Sequence, residues 1–330
     1  MPQKQTSLKN KKVLITGGLG FIGSNLAHKC LQLGASVTIY DCLDQKSGGN
    51  IYNIEDIKKD VALINDDIRN FQALSLSLAK KEIVFNCAAY TSHPNSMKEP
   101  LIDIDINCKG TLNLLEAVRK FEPEAKIVHI GTSTQIGKME FKVIDEMHPE
   151  FPLDIYSANK SVSEKYVLLY GNAYALDTTV LRLANNFGPR SNIKSPDFGF
   201  MNYFIGLGLQ GKEINVFGSG SQLRNVNFVD DSVAALILAA LNPESKGQVF
   251  FVVGDRQYTV LQIAEAIARN IGGKIKFVGW PEEREAIEIG DAVISNKKVK
   301  KMLSWEAKYG IDEGLKKTKD YFDSCLNRYL

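Results

Sequence analysis

The sequence predicts an α/β protein with a doubly wound parallel sheet and a smaller, discontinuous C-terminal α/β domain. Three observations predict it. Short apolar strands alternate with amphipathic helices through the first half of the 330 residues, and a glycine-rich turn joins the first strand to the first helix. After about Asn185 this alternation loosens, and Gly and Pro become denser. Strands separated by helices of this length form a parallel sheet that is covered on both faces.

The elements follow in order along the chain. Each predicted strand is a short apolar run: Val13–Ile15, Ser36–Tyr40, Val61–Ile64, Ile83–Cys87, Lys126–Ile130 and Thr179–Leu183. The predicted helices have apolar residues at helical spacing and cover about Phe21–Leu33, Phe71–Lys80, Ile104–Lys120 and Tyr156–Tyr174. Ile214–Val216 is a short strand, and a helix over Phe228–Leu241 and a strand over Gln248–Val253 return to the main sheet. We therefore expect residues 1–185 and about 228–254 in the first domain, and about 186–227 and 255–330 in the second.

Composition excludes several classes of partner. The formal net charge is only +2 and the basic residues are spread along the whole chain, which does not favour nucleic acid. The four histidines show no metal-ligand spacing, and His129 lies within a predicted strand as a core histidine. No apolar run approaches the ~18 residues of a membrane span, and residues 1–12 are polar and lysine-rich. With five cysteines and no CxxC pair, we expect a reduced, cytoplasmic protein.

The glycine-rich turn predicts a dinucleotide site on a Rossmann-type sheet. Gly17, Gly20 and Gly23 are spaced as GxxGxxG between a strand and a helix. The first two permit a tight turn and close approach to a pyrophosphate, and the third permits close helix packing at a positively polarised helix end. Asp41 ends the second strand, where a carboxylate accepts hydrogen bonds from the ribose hydroxyls and repels a 2′-phosphate, which favours NAD over NADP. The alternative is that Asp41 merely ends a strand.

Asp67 and Ile68 follow the third strand. This position is suited to the adenine edge of the cofactor, although a surface turn is an alternative interpretation.

A phenol and an ammonium stand one helical turn apart at Tyr156 and Lys160. Tyrosine at its usual pKa of about 10 is a poor base at neutral pH. A lysine four residues along the same helix face lowers that pKa, as does a positive nicotinamide ring. The phenolate then removes the proton of a substrate hydroxyl while hydride leaves to the cofactor. The alternative is an exposed helix face that carries no chemistry.

Taken together, these motifs resemble the extended short-chain dehydrogenases/reductases, in their nucleotide-sugar epimerase and dehydratase group. The resemblance extends from Lys12 to about Tyr321. It includes Asn86–Ala89, Asn107, the segment Arg182–Arg190, which is similar to RxxNxYGP, and the segment Gly218–Arg224, which resembles GxGxQxR. It implies NAD as cofactor, with further contacts from Phe21, Ile22, Ala88, Ala89, Asn107 and Lys160.

The same resemblance implies the catalytic and substrate-binding residues. Thr132 would be the catalytic hydroxyl, with Ser133 as the alternative because Ile136 stands where the family has tyrosine. Tyr156 would be the base and Lys160 its partner. Residues expected to bind the nucleotide sugar are Asn185, Arg224, Arg284 and Ser92. For Arg284 the alternative is pairing with the neighbouring glutamates, and for Ser92 a plain loop.

The expected reaction is epimerisation at C4 of a nucleoside-diphosphate hexose. The 4,6-dehydratases carry an Asp-Glu pair directly after the catalytic threonine, and the related decarboxylases usually carry a glutamate there, whereas this chain has Ser133 and Thr134. A 4-epimerase needs no further acid. The alternatives are a 4-dehydrogenase or 4-ketoreductase, a 4,6-dehydratase, and a non-catalytic NAD-binding regulator. The resemblance also implies a homodimer formed by a four-helix bundle of the helices near 104–120 and 156–174 from each subunit.

Overall fold

A computed structural model describes residues 7–330. The strands within this range are β1 Lys12–Thr16, β2 Ser36–Asp41, β3 Val61–Asn65, β4 Ile83–Asn86, β5 Lys126–Thr132, β6 Thr178–Leu183, β7 Asn186–Phe187, β8 Glu213–Phe217, β9 Leu223–Asn225, β10 Asn227–Phe228, β11 Gln248–Val252, β12 Gln257–Thr259 and β13 Lys274–Val278. The α-helices are α1 Phe21–Gln32, α2 Phe71–Ser77, α3 His93–Lys98, α4 Pro100–Asp103, α5 Gly110–Phe121, α6 Ile155–Tyr174, α7 Phe200–Leu209, α8 Val229–Leu241, α9 Val260–Asn270, α10 Glu282–Glu285, α11 Lys297–Leu303 and α12 Ile311–Asp323.

Seven strands form one fully parallel sheet in the order β11-β6-β5-β4-β1-β2-β3. Strands β1 to β6 have the 3-2-1-4-5-6 order of a doubly wound nucleotide-binding sheet. This confirms the predicted Rossmann-type fold.

The two faces of the sheet are buried in separate apolar clusters. Alternate residues of one strand point to opposite faces, so Val13 and Ile15 of β1 join one cluster and Leu14 joins the other. Helices α1 and α8 cover the first face, and α2, α5 and α6 cover the second.

The later segments form three two-stranded sheets that are separate from the main one: β8 with β13, β9 with β12, and β7 with β10. Between them in sequence, α8 packs beside β5 and β6, and β11 extends the main sheet by pairing with β6. The predicted domain boundaries remain a prediction. None of the helices within residues 7–330 is long and apolar enough to cross a bilayer.

Two predicted helices differ from those observed. The helix predicted over Phe71–Lys80 ends at Ser77, and Lys80 has a left-handed φ of 60°, which a continuing α-helix does not permit. The long helix predicted from Ile104 begins with a π-helical segment, Ile104–Lys109, before α5 starts at Gly110. This wider turn holds Asn107, whose side chain bonds the carboxylate of Asp103 and the backbone of Tyr90.

Candidate active site

The candidate active site is a cavity of about 800 Å³ beyond the carboxyl ends of the parallel strands. Ligands of open α/β sheets bind at this edge, where the strand order reverses between β1 and β4. Nearly all of the predicted site residues line it: Gly17, Gly20, Phe21, Ile22, Gly23, Asp41, Asp67, Ile68, Ala88, Ala89, Thr132, Ser133, Tyr156, Lys160, Asn185, Arg224 and Arg284.

The glycine turn is too tight for any other residue at two of its positions. Gly17 has a φ of +67°, and a Cβ there would lie 2.7 Å from the backbone nitrogen of Ala88. A Cβ on Gly23 would overlap the carbonyl oxygen of Gly17. Gly20 is the N-cap of α1 and makes no side-chain cap, so the first backbone N–H groups of the helix face the cavity edge without a side-chain partner. This cradle fits the pyrophosphate of a dinucleotide.

Asp41 also stabilises the glycine-rich turn by hydrogen bonding, a role that the sequence did not reveal. The N–H of Leu19 donates to its Oδ2 at 2.9 Å, and the N–H of Leu43 donates to its Oδ1 at 2.7 Å. Burial raises the pKa of the carboxyl, and these two donors oppose that rise. The remaining lone pairs of the carboxylate are those that ribose hydroxyls would use.

The residues at the predicted adenine edge differ in how they are held. Both carboxylate oxygens of Asp67 accept hydrogen bonds from the Arg69 side chain at 2.8 and 2.7 Å, and this bonding lowers the pKa of Asp67. Ile68 is buried. Because Asp67, Ile68 and Arg69 all line the cavity, they form a wall rather than a detached surface turn.

Two predicted contact residues lie outside the cavity lining. The Asn107 amide bonds both the N–H and the carbonyl of Tyr90, at 3.0 and 2.9 Å, so it shapes the loop after β4. Ser92 is 1% exposed and caps α3 by accepting from the N–H of Asn95 at 3.1 Å. In the structure, both residues therefore hydrogen-bond the backbone of the segment after β4 instead of lining the cavity.

The catalytic constellation is assembled from β5 and α6. Thr132 ends β5, and Tyr156 and Lys160 lie in the first two turns of α6. That helix begins where Asp154 accepts a hydrogen bond from the N–H of Ser157 at 2.8 Å, a strong N-cap. All three catalytic candidates are nearly buried and line the same cavity as the glycine turn.

Burial governs the pKa values of the two groups of the predicted proton transfer, Tyr156 and Lys160. Burial of the phenol raises its pKa, and the carboxylates of Asp103 and Asp154 add to the rise. The Thr132 side chain, by hydrogen bonding, is the group that opposes it. Burial also lowers the pKa of Lys160, to about 8. Desolvation, which disfavours the charged form of both residues, is therefore the largest cause of both pKa shifts.

Lys160 lies at one end of a row of polar side chains that crosses three neighbouring strands of the sheet. Its Nζ lies 3.3 Å from Nε2 of His129, whose Nδ1 lies 3.0 Å from the amide nitrogen of Asn86. The Asn86 oxygen accepts from the hydroxyl of Thr16 at 2.7 Å. His129 is a buried, hydrogen-bonded core histidine, as predicted, and burial together with Lys160 holds its pKa well below the usual range. Its contact with Lys160 was not foreseen, because one strand sequence does not show which helix covers it.

The far end of the cavity is lined by the second half of the chain. Arg224 donates to Glu288 at 2.5 Å and to the carbonyl of Leu223 at 2.9 Å. The guanidinium of Arg284 lies 3.6 Å from Asp197, rather than pairing with the adjacent glutamates. This wall also contains two aromatic side chains that the sequence did not indicate, Phe217 and Trp280. Their ring centroids are 5.2 Å apart.

The comparisons with known proteins agree on one family, whose members catalyse different reactions. The family model described as "NAD dependent epimerase/dehydratase family" matches residues 13–254. The chain is 30% identical over 306 residues to a putative UDP-glucose 4-epimerase of Methanocaldococcus jannaschii, across 92% of this chain and 96% of that protein. It is also 30% identical over 344 residues to UDP-glucuronic acid decarboxylase 1 of Xenopus tropicalis, across 100% of this chain and 77% of that protein.

A solved structure gives the same result. The UDP-glucose 4-epimerase of Thermus thermophilus in complex with NAD superposes with a TM-score of 0.85 at 28% identity, over 95% of this chain and 99% of that one.

Proposed function

The chain belongs to the NAD-dependent epimerase/dehydratase family of nucleotide-sugar enzymes, and from that premise we propose that it is a 4-epimerase of a nucleoside-diphosphate hexose. NAD is its cofactor. One observation carries the proposal. Thr132, Tyr156 and Lys160 share one cavity with the glycine turn, while the two residues after Thr132 are a serine and a threonine rather than carboxylic acids.

The chain's own groups supply the proton transfers that oxidation and re-reduction at one carbon require. NAD, when bound, supplies the hydride acceptor and returns the hydride. Tyr156 removes the proton of the C4 hydroxyl, and Thr132 holds that oxygen by hydrogen bonding. Lys160 stabilises the phenolate by its charge. The 4-ketose then turns in the cavity, and Tyr156 returns the proton after hydride reaches the opposite face of the sugar.

Elimination of water or loss of carbon dioxide requires further acid-base groups next to the transient ketone. Ser133 and Thr134 are hydroxyl residues, and they cannot replace a carboxyl pair at neutral pH. The similarity to a decarboxylase therefore supports the shared oxidation step rather than the whole reaction.

The first test is incubation of the purified protein with UDP-, dTDP-, GDP- and CDP-hexoses in heavy water, followed by NMR of the sugar protons. A 4-epimerase inverts the axial or equatorial position of H4 and retains hydrogen at C4, and its NAD stays bound through purification. Stoichiometric NADH release with free cofactor exchange would instead identify a 4-dehydrogenase or 4-ketoreductase. Formation of a 4-keto-6-deoxy sugar would identify a dehydratase, and binding of NAD without turnover of any sugar would identify a regulator.

A pair of substitutions decides which hydroxyl is catalytic. T132V keeps the shape of the side chain but removes the hydroxyl that is proposed to hold the substrate oxygen, so we expect kcat to fall about 100-fold. S133A removes a hydroxyl from the same cavity wall, and we expect less than about a threefold change. The reverse order of effects, measured by H4 inversion under saturating substrate, would assign the role to Ser133.

A substitution at Asp41 tests cofactor binding. Asparagine has one acceptor oxygen in place of two, so D41N leaves the N–H of Leu19 or Leu43 without its partner and weakens the ribose contacts. We expect the Kd for NAD to rise about 10- to 100-fold, and the preference over NADP to shrink. Titration calorimetry of the cofactor-free variant with NAD and with NADP measures both, and an unchanged Kd for NAD would show that Asp41 holds the turn without contributing to NAD binding.

A homodimer is also proposed. Apolar side chains on α4 and α6 are exposed, among them Leu101 at 74% and Leu169 at 57%. Exposed apolar groups on adjacent helices are what a second copy would cover. Sedimentation equilibrium tests this, and a monomer at micromolar concentration would contradict it. The reduced, cytoplasmic setting stays a prediction.

A further inference from the structure

A histidine-aspartate pair forms part of the cavity wall beside the proposed base. His93, the first residue of α3, has its Nδ1 2.8 Å from Oδ2 of Asp154. Its ring packs edge-on against the ring of Tyr156, with centroids 4.9 Å apart. All three residues line the cavity.

The pair is held rigidly. Asp154 is buried and accepts from the N–H of Ser157 at 2.8 Å and from its hydroxyl at 3.0 Å. The Ser157 hydroxyl also lies 2.9 Å from the hydroxyl of Thr134, which lies 3.1 Å from that of Thr132. A continuous hydrogen-bonded chain therefore joins His93 to the proposed catalytic hydroxyl.

This arrangement fixes the polarity of the imidazole. An ionised carboxylate only accepts hydrogen bonds, so Nδ1 of His93 must donate to Asp154. In the neutral ring, Nε2 is then a bare acceptor. Within residues 7–330 the ring makes its side-chain hydrogen bond through Nδ1, and Nε2 has no protein partner. The His93 side chain is 31% exposed on a wall of the cavity.

We propose that Nε2 of His93 accepts a hydrogen bond from the C6 hydroxyl of the hexose, and that it thereby selects neutral hexoses over hexuronates. This inference rests on the proposed function, which brings C4 to Tyr156. C5, the carbon beside C4, carries the C6 group, which is a hydroxymethyl group in a neutral hexose and a carboxylate in a hexuronate. A C6 hydroxyl donates a hydrogen bond to Nε2. A C6 carboxylate is itself an acceptor, so it would leave both groups without a hydrogen-bond partner, and this lowers affinity strongly in a closed site.

Two substitutions at His93 separate the two ring nitrogens. In H93N the amide nitrogen takes the place of Nδ1 and still donates to Asp154, but nothing takes the place of Nε2. In H93Q the amide reaches the Nε2 position and presents an acceptor oxygen there. We expect H93N to lower kcat/KM for UDP-glucose about tenfold and H93Q to stay within about threefold of the wild type. If the panel selects another nucleotide, the corresponding glucose derivative replaces UDP-glucose.

Deoxy substrates identify the hydroxyl. With the 6-deoxy analogue we expect kcat/KM of the wild type to fall about tenfold and kcat/KM of H93N to fall no further. A loss confined to the 3-deoxy analogue would contradict the assignment to the C6 hydroxyl. Equal losses for H93N on the parent and on both analogues would show that His93 only supports Tyr156, and would overturn the inference.

Asp154 is the positioning residue in this proposal, and D154N reverses its polarity. The asparagine amide donates to Nδ1, so that Nε2 carries the proton and becomes a donor. Asparagine caps helices as well as aspartate does, so α6 should be retained, and thermal unfolding checks this. We expect the ratio of kcat/KM for UDP-glucose over UDP-glucuronate to fall at least about tenfold. An unchanged ratio would overturn the inference.

Binding measurements keep this test apart from the proposed function. The Kd values of UDP-glucose and UDP-glucuronate, measured on Y156F with and without H93N, do not depend on turnover. Absence of C4 inversion in the wild type would refute the epimerase proposal, whereas a Kd preference for glucose that H93N leaves unchanged would refute the role of His93.

Discussion

Y156F is expected to lower kcat about 1,000-fold while NAD remains bound. The phenol is the one group in the proposed site that moves the proton of the C4 hydroxyl, and positioned acid-base groups of this kind contribute about 10²- to 10⁴-fold. Phenylalanine keeps the ring that packs against His93, so the fold should not change. H4 inversion by NMR measures the rate, and absorbance at 260 and 340 nm measures the retained cofactor.

A matched control lies on the same helix. Tyr170 donates its hydroxyl to Glu116 at 2.8 Å and does not line the cavity, so Y170F should stay within about twofold of wild type. If Y156F kept more than a tenth of the activity, another group would have to remove the proton, and the proposed mechanism would be wrong.

R182M is expected to destabilise the protein by about 3–5 kcal/mol. Arg182 is 2% exposed, and it donates to both carboxylate oxygens of Glu164, at 2.9 and 2.6 Å, and to Glu150. Glu164 is itself buried, so removal of the guanidinium leaves a buried carboxylate whose remaining cationic neighbour is the half-exposed Lys165, 3.6 Å away. Urea unfolding followed by circular dichroism gives the change in the free energy of unfolding.

Two further variants make this prediction decisive. E164L/R182M removes both buried charges and should recover most of the loss, even if R182M alone does not fold. K276M breaks an exposed pair with Glu213, 2.9 Å apart, and should change stability by less than about 0.5 kcal/mol. A loss in R182M no larger than that in K276M would show that the buried pair does not stabilise the fold.

Local patterns predicted the sheet, and they predicted a glycine turn that the structure places on the wall of the cavity. Gly17, Gly20 and Gly23 must be glycine for reasons of the turn itself, and the strand before and the helix after them are adjacent in sequence. Tyr156 and Lys160 are similarly one helical turn apart, so their shared face follows from helix geometry. Such relations hold within a few residues of chain, where spacing decides position.

The direction of the Tyr156 pKa could not be predicted in this way. Its environment comes from Asp103, which is 53 residues away in the chain, and from burial that no local pattern reports. Two other contacts also join residues that are far apart in the chain. His129 and Lys160 are separated by 31 residues, and His93 and Asp154 by 61. Asn107 and Ser92 were expected at the cavity, but they lie outside its lining and hydrogen-bond the backbone of the segment after β4.

The sequence by itself therefore determined the family, the doubly wound sheet, the dinucleotide turn and the candidate tyrosine and lysine, because each of these depends on short spacings and on residue chemistry. Only the tertiary structure decided which groups surround them: the buried Arg182 between two glutamates, the polar row behind Lys160, and the oriented imidazole of His93. The physical reason is that desolvation and hydrogen-bond polarity depend on every element packed around a group, and packing brings together residues that are far apart in the chain.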